Sequence, residues 1–294
     1  MANIFDELKM RFRSGNMLVR LLFVNCGIFL AASLWLLGSR LFAVSGEWLV
    51  RWFELPANLH WLVRQPWSVL TYMFLHVDLW HLLFNMLWLW WFGNIFLRYF
   101  SAKQLMGLYL LGGLSGAVLY VVLYNVLPLF APIAGASYLL GASAAVMAIV
   151  VATAVRVPDQ EILLFLFGAV RLKYIAALVV LISFLSMGGA NAGGNIAHVG
   201  GAIFGFLYGW QYRRGHDLTR GINALIDKIV TLFKPRPKMR VRMGDKQMDM
   251  EYNRRKHQEM ADIDAILDKM KRTGYDGLTA DEKRRLFNAG KNHK

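Results

Sequence analysis

The sequence holds a single cysteine, Cys26, and little charge: Asp, Glu, Lys and Arg together make up 18% of its 294 residues. One cysteine excludes an internal disulfide framework and gives no cysteine-based metal cluster. A soluble globular chain carries more charge, nearer a quarter of its residues. Two stretches, 127–136 and 186–194, carry no charge at all. No HExxH occurs, so the zinc-protease motif is absent. The inverted repeats and multiple buried charges of transporters are missing as well.

What is present is apolar. Hydrophobic residues make up 56% of the chain, in long uncharged blocks. A hydrocarbon core about 30 Å thick needs roughly 20 such residues per helix. Six spans are expected, over 17–42, 78–98, 104–126, 137–155, 174–189 and 195–212, which makes the fold class an all-α membrane protein with six transmembrane helices. The first block follows Lys9, Arg11 and Arg13. It is too long for a signal-peptide core and has no cleavage site, so it is expected to be retained.

The net charge is +14, and 21 of the 33 Lys and Arg lie after Tyr212. The leader, the Arg98–Lys103 turn, the Arg156–Lys173 connection and the tail fall on one side of the bilayer; the two uncharged connections fall on the other. The positive-inside bias then predicts both termini in the cytoplasm, in a multi-pass protein of a bacterial inner (plasma) membrane. A basic tail beside a bilayer suits anionic lipid headgroups better than nucleic acid.

The domain reading is a leader over 1–16, a six-span core over 17–213 and a basic, helical tail over 214–294. The outer loop 43–77 mixes Trp48, Trp52, Trp61 and Trp67 with Arg51, Glu54 and Arg64, a pattern of interfacial helices. Ile162 to Tyr174, apolar on either side of Gly168-Ala169, reads as a short hairpin. In the tail, Pro235 and Pro237 break an amphipathic stretch. Residues 249–288 read as charged helices, with Thr279 and Glu282 spaced as a capping box.

Polar side chains inside hydrocarbon cost free energy, so each needs a reason. Four stand out: His81 and Asn85 in the second span, Ser143 in the fourth and His198 in the sixth. All three spans run inward from the uncharged side. His81, Ser143 and His198 sit about three to six residues past that edge, roughly 5–10 Å deep at 1.5 Å per residue. Asn85 is one helical turn deeper on the face of His81. Taken singly, Ser143 would bond its own backbone, and each histidine would tie helices together. A common depth for all four favours a site. A hydroxyl, an imidazole base and N–H donors for an oxyanion are the parts of acyl transfer. No acidic residue lies at that level, so a dyad fits better than a triad.

Here a resemblance becomes specific. His81-Leu82-Leu83-Phe84-Asn85 is similar to the HxxxN element of rhomboid proteases, and Gly141-Ala142-Ser143 resembles the start of their GxSG element. Ala197-His198-Val199-Gly200-Gly201 through Gly205 resembles their AHxxGxxxG. The likeness covers roughly residues 15–213. It implies a six-helix bundle that cuts transmembrane protein substrates near the ends of their spans, with no cofactor. By the same likeness Ser143 is the nucleophile and His198 the general base, while His81, Asn85 and the Ser143 backbone N–H form the oxyanion hole. The alternative it leaves is a proteolytically weak or inactive relative that binds and escorts transmembrane segments.

Ala144 stands where the family has the second glycine of GxSG. A literal GxSG occurs instead at Gly113-Leu114-Ser115-Gly116, but Ser115 falls near mid-membrane, below the level of His198. Trp67-Ser68 replaces the family's Trp-Arg, and Leu97 beside Arg98 replaces its Glu. Gly201 and Gly205 share a helix face and predict a close helix approach. The Ser186–Gly194 loop is the expected entry for substrate.

Overall fold

The computed structural model describes residues 10, 12, 14–164, 168–233 and 246–291, and over these the chain is mostly helical. Lys9, Arg11, Arg13, Pro235 and Pro237, used in reading the leader and the tail, lie outside the described residues. The chain divides into two compact units, Met1–Phe233 and Lys234–Lys294.

The first unit opens with α1, Met17–Leu41, whose N-cap Asn16 accepts from the Val19 N–H at 3.1 Å. The loop that follows holds α2 (Glu47–Arg51), β1 (Leu55–Pro56), α3 (Leu59–Arg64) and α4 (Ser68–Thr71), then a 3-10 turn over Tyr72–Phe74. The Trp52 and Trp67 rings stack there at 5.5 Å, and Trp67 Nε1 donates to the Trp52 carbonyl. Next come α5 (Leu79–Phe96) and α6 (Ala102–Val126). Asp78 caps α5 by accepting from the His81 N–H at 2.7 Å, and Ser101 with Gln104 forms a capping box on α6.

Strand β2, Tyr138–Leu139, pairs antiparallel with β1, matching Leu55 to Leu139 and Pro56 to Tyr138. Helix α7 follows, Ser143–Arg156. The hairpin expected over 162–174 is present as β3 (Glu161–Leu164) and β4 (Gly168–Arg171), antiparallel. It leads into α8 (Leu172–Leu185) and α9 (Ala192–Arg213), and α10 (Arg220–Phe233) closes the unit.

Helices α1 and α6 are long and apolar enough to cross a membrane, whereas α7 and α8 are shorter apolar helices of 14 residues each. The fourth span was expected to begin at 137. Residues 137–142 are instead spent on β2 and an extended turn, so the helix starts at Ser143.

Small residues hold the centre together. A Cβ placed on Gly201 would collide with the carbonyl of Ala144, and one on Gly205 with that of Ala148. Helices α7 and α9 therefore touch backbone to backbone, as the glycine spacing predicts. Ala144 is accommodated because its neighbour is bare: a Cβ on Gly116 would come within 2.6 Å of the Ala144 Cβ. A buried polar tie joins α1, α6 and the loop. Asn25 Nδ2 donates to Tyr109 Oη at 3.2 Å, and Tyr109 Oη donates to the Met73 carbonyl at 2.8 Å.

The second unit contains α11 (Lys246–Thr273) and α12 (Ala280–Lys291). The Thr279 N–H donates to Glu282 Oε2 at 2.7 Å, and the Glu282 N–H donates to Thr279 Oγ1 at 3.4 Å, which closes the expected capping box. Lys269 Nζ also reaches both Glu282 oxygens, linking α11 to α12.

Candidate active site

Helices α5, α7, α8 and α9 meet around one cavity of about 380 Å³. His81 is the third residue of α5, Asn85 lies one turn on, Ser143 opens α7 and His198 sits in the second turn of α9. All four side chains line this cavity, together with Ser183 of α8 and Asn195 of α9. Among the described residues, no group of His, Cys, Asp or Glu is placed to hold a metal ion.

The turn before Ser143 is clamped from several directions. The Gly141 N–H donates to the Tyr72 carbonyl at 2.9 Å, and the Ala142 N–H donates to His76 Nε2 at 3.3 Å. Tyr72 Oη in turn donates to the Gly113 carbonyl at 2.6 Å. Gly141 has φ +115, a conformation side chains resist. A Cβ there would also come 2.6 Å from the His81 ring. The turn delivers Ser143 as the first residue of its helix. Its backbone N–H is one of the helix's unpaired N-terminal donors, at the positive end of the α7 dipole.

Asn85 Nδ2 donates one hydrogen to the His81 carbonyl at 2.9 Å, so its amide plane is fixed and a second hydrogen is left over. No hydrogen bond joins His198 to Ser143. His198 Nδ1 instead contacts Ser183 Oγ at 3.2 Å. Ser115 is engaged elsewhere: its hydroxyl donates to the Gly200 carbonyl at 2.8 Å and ties α6 to α9.

One cavity residue, Ser183, and one behind the turn before Ser143, His76, went unnoticed in the sequence. Ser183 lies six residues from the uncharged end of the fifth expected span, within the depth range of the other four. Applying the depth criterion to that span would have found it. His76 gave no such signal, because it sits in the outer loop.

His76 is fully buried, and its imidazole is held at about 4, first by burial and then by the neighbouring His81 ring, 5.1 Å away. The ordinary value is about 6.5. A neutral ring keeps Nε2 free to accept from Ala142. An imidazole depressed by folding contributes stability that is complete above the unfolded value and lost as pH falls through the folded one. The Tm of the full chain should therefore fall between about pH 6.5 and pH 4. His76→Gln keeps an acceptor that does not titrate, so its Tm should decline less over this window. Identical slopes would remove His76 from the account.

Comparison with known proteins decides the lineage. A family model described as the rhomboid domain matches residues 63–215, just over half of the chain. The chain belongs to the rhomboid family. Three curated rhomboid relatives align with it. Rhomboid protein 1, mitochondrial, of Saccharomyces cerevisiae is 31% identical over 156 residues, covering 52% of this chain and 44% of that protein. RHOMBOID-like protein 12, mitochondrial, of Arabidopsis thaliana is 28% identical over 158 residues, covering 50% and 47%. Presenilin-associated rhomboid-like protein A, mitochondrial, of Danio rerio is 28% identical over 149 residues, covering 49% and 36%. The match thus spans less than half the length of each relative. Residues 246–291 match a second model, a family of unknown function (DUF6576).

These relatives correct the expected localisation. All three are named mitochondrial, which speaks against the bacterial plasma membrane expected above. The positive-inside bias sorts loops to a charged side and an uncharged side. It carries no information about which membrane they flank.

Proposed function

We propose that this rhomboid is an intramembrane serine endopeptidase, hydrolysing peptide bonds in or near transmembrane segments of protein substrates through a Ser143–His198 dyad. The observation that carries this reading is the single cavity lined by a serine, two histidines and an asparagine from α5, α7 and α9. In this reading α1, α5, α6, α7, α8 and α9 form a six-span core over 17–213. Residues 214–294 are a basic tail, with helices over Arg220–Phe233, Lys246–Thr273 and Ala280–Lys291, facing anionic headgroups.

Ser143 Oγ attacks the scissile carbonyl while His198 Nε2 takes its proton. The oxyanion then meets the Ser143 backbone N–H, the spare Asn85 Nδ2 hydrogen and a His81 ring N–H. His198 returns the proton to the leaving amine, and water admitted from the uncharged side hydrolyses the acyl-enzyme. Ser183 supplies what an acid does in a triad. When its oxygen accepts from the His198 Nδ1–H, Nε2 is the nitrogen that carries the lone pair.

The test is cleavage of a transmembrane-segment substrate by the full chain reconstituted in liposomes. Two fragments cut near the end of the segment support the reading. Stable binding without cleavage supports the escort, which the missing Ser143–His198 hydrogen bond favours. Ser183→Ala should lower cleavage about fivefold, the worth of one neutral hydrogen bond of roughly 1 kcal/mol, and shift the pH profile. Ser183→Thr should restore both. An unchanged profile in Ser183→Ala would leave Ser183 with a packing role alone.

A further inference from the structure

A larger groove of about 840 Å³ runs along α7, α8 and α9 and shares no lining residue with the candidate active site. Its floor is made of small buried residues, among them Ala154, Ala176 and Ala202. Its walls include Leu181, Phe184 and Phe206, which stay 53%, 59% and 54% exposed, so the groove opens sideways along the helices. The lining is apolar along its length except at one end, where Lys173 lies in the first turn of α8 and Arg213 finishes α9.

The charges at that end do not cancel. Lys173 Nζ pairs with Asp159 Oδ1 at 2.7 Å, and Arg171 shares the same carboxylate at 3.6 Å with Glu161 opposite it in the hairpin, so the surplus at this end comes from Arg213. Arg213 has no ion pair among the described residues, and Arg156 is the last residue of α7. An apolar channel capped by surplus positive charge has the polarity of one phospholipid: chain along the helices, phosphate at the mouth.

We infer that this groove holds an acyl chain of an anionic phospholipid, with its phosphate at Lys173 and Arg213. The inference rests on the membrane placement proposed above but not on proteolysis. Inside a bilayer the chain gains nothing from leaving water, because lipid tails are as apolar as leucine. Contact with the helix walls fills what would otherwise be a void. Selectivity must then come from the headgroup, where basic side chains near a membrane surface attract anionic lipid.

The full chain in detergent would be titrated with phosphatidylglycerol or phosphatidylcholine carrying the same acyl chains, and bound lipid read by native mass spectrometry. One retained phosphatidylglycerol is expected, preferred about tenfold. Arg213→Gln, a surface change that leaves the fold alone, should cut the preference below about threefold. Ala177→Trp, which fills the groove from its exposed edge, should remove the retained lipid of either kind. Equal retention of both lipids by the wild-type chain would overturn the inference. So would a preference unchanged in Arg213→Gln, which would assign lipid selectivity to the basic tail. Ser143→Ala should bind lipid as the wild type does, so loss of the protease reading leaves this result standing. A chain that fails to sediment with membranes would instead sink the membrane placement itself.

Discussion

Replacing Ser143 or His198 with alanine is expected to reduce cleavage of a transmembrane-segment substrate by about 10⁴-fold or more, because a nucleophile and its base act as one unit. Neither change should unfold the protein. Ser143 stands at the start of α7 with its side chain facing the cavity, and its removal deletes no hydrogen bond of the resting structure. His198→Ala gives up only the contact to Ser183. The double variant should be no worse than either single one. Additive losses would mean that the two residues do not share a step. The resting pair is not hydrogen-bonded, so its productive geometry must form when substrate enters, as is common for catalytic contacts in unliganded enzymes.

The second large effect is structural. Gly201→Val should destabilise the chain by about 3 kcal/mol or more, since overpacking at a rigid contact usually costs about 1–3 and here the obstacle is backbone. The Ala144 carbonyl cannot rotate away as a side chain would. Any relief must come from separating α7 and α9, and that moves Ser143 relative to His198. Gly201→Val should therefore lose both Tm and cleavage. Gly27→Val is the matched control: nothing lies within 4 Å of a Cβ at Gly27, so only the residue type changes. Equal losses in the two variants would show that close approach at Gly201 is not what holds the helices.

Much of this arrangement is local and therefore visible in the sequence. Thr279 with Glu282, three residues apart, and Gly201 with Gly205, four apart on one face, encode their contacts in spacing alone. The β3–β4 hairpin follows from apolar residues flanking Gly168. The four polar residues at one depth could be grouped because a helix converts residue number directly into depth. What spacing could not convey were contacts between distant segments. Two residues of β1 meet two of β2 across more than eighty positions, and nothing in Leu55-Pro56 announces a strand. That pairing, with the bond from Gly141 to Tyr72, shortens α7 and makes Ser143 its first residue rather than one buried a turn inside. His76 escaped notice for the same reason, since its role exists only once the loop folds back onto Ala142. Compartment was beyond reach, because loop charge has a sign but no address.

The most direct test of the central claim is labelling of the full chain with a serine-directed fluorophosphonate, which reports an activated hydroxyl without requiring a known substrate. The label should appear on the wild-type protein, persist in Ser115→Ala and vanish in Ser143→Ala and His198→Ala. A label that survives loss of Ser143, or one that never appears on a folded wild-type chain, would contradict the assignment of the cavity as a serine protease site.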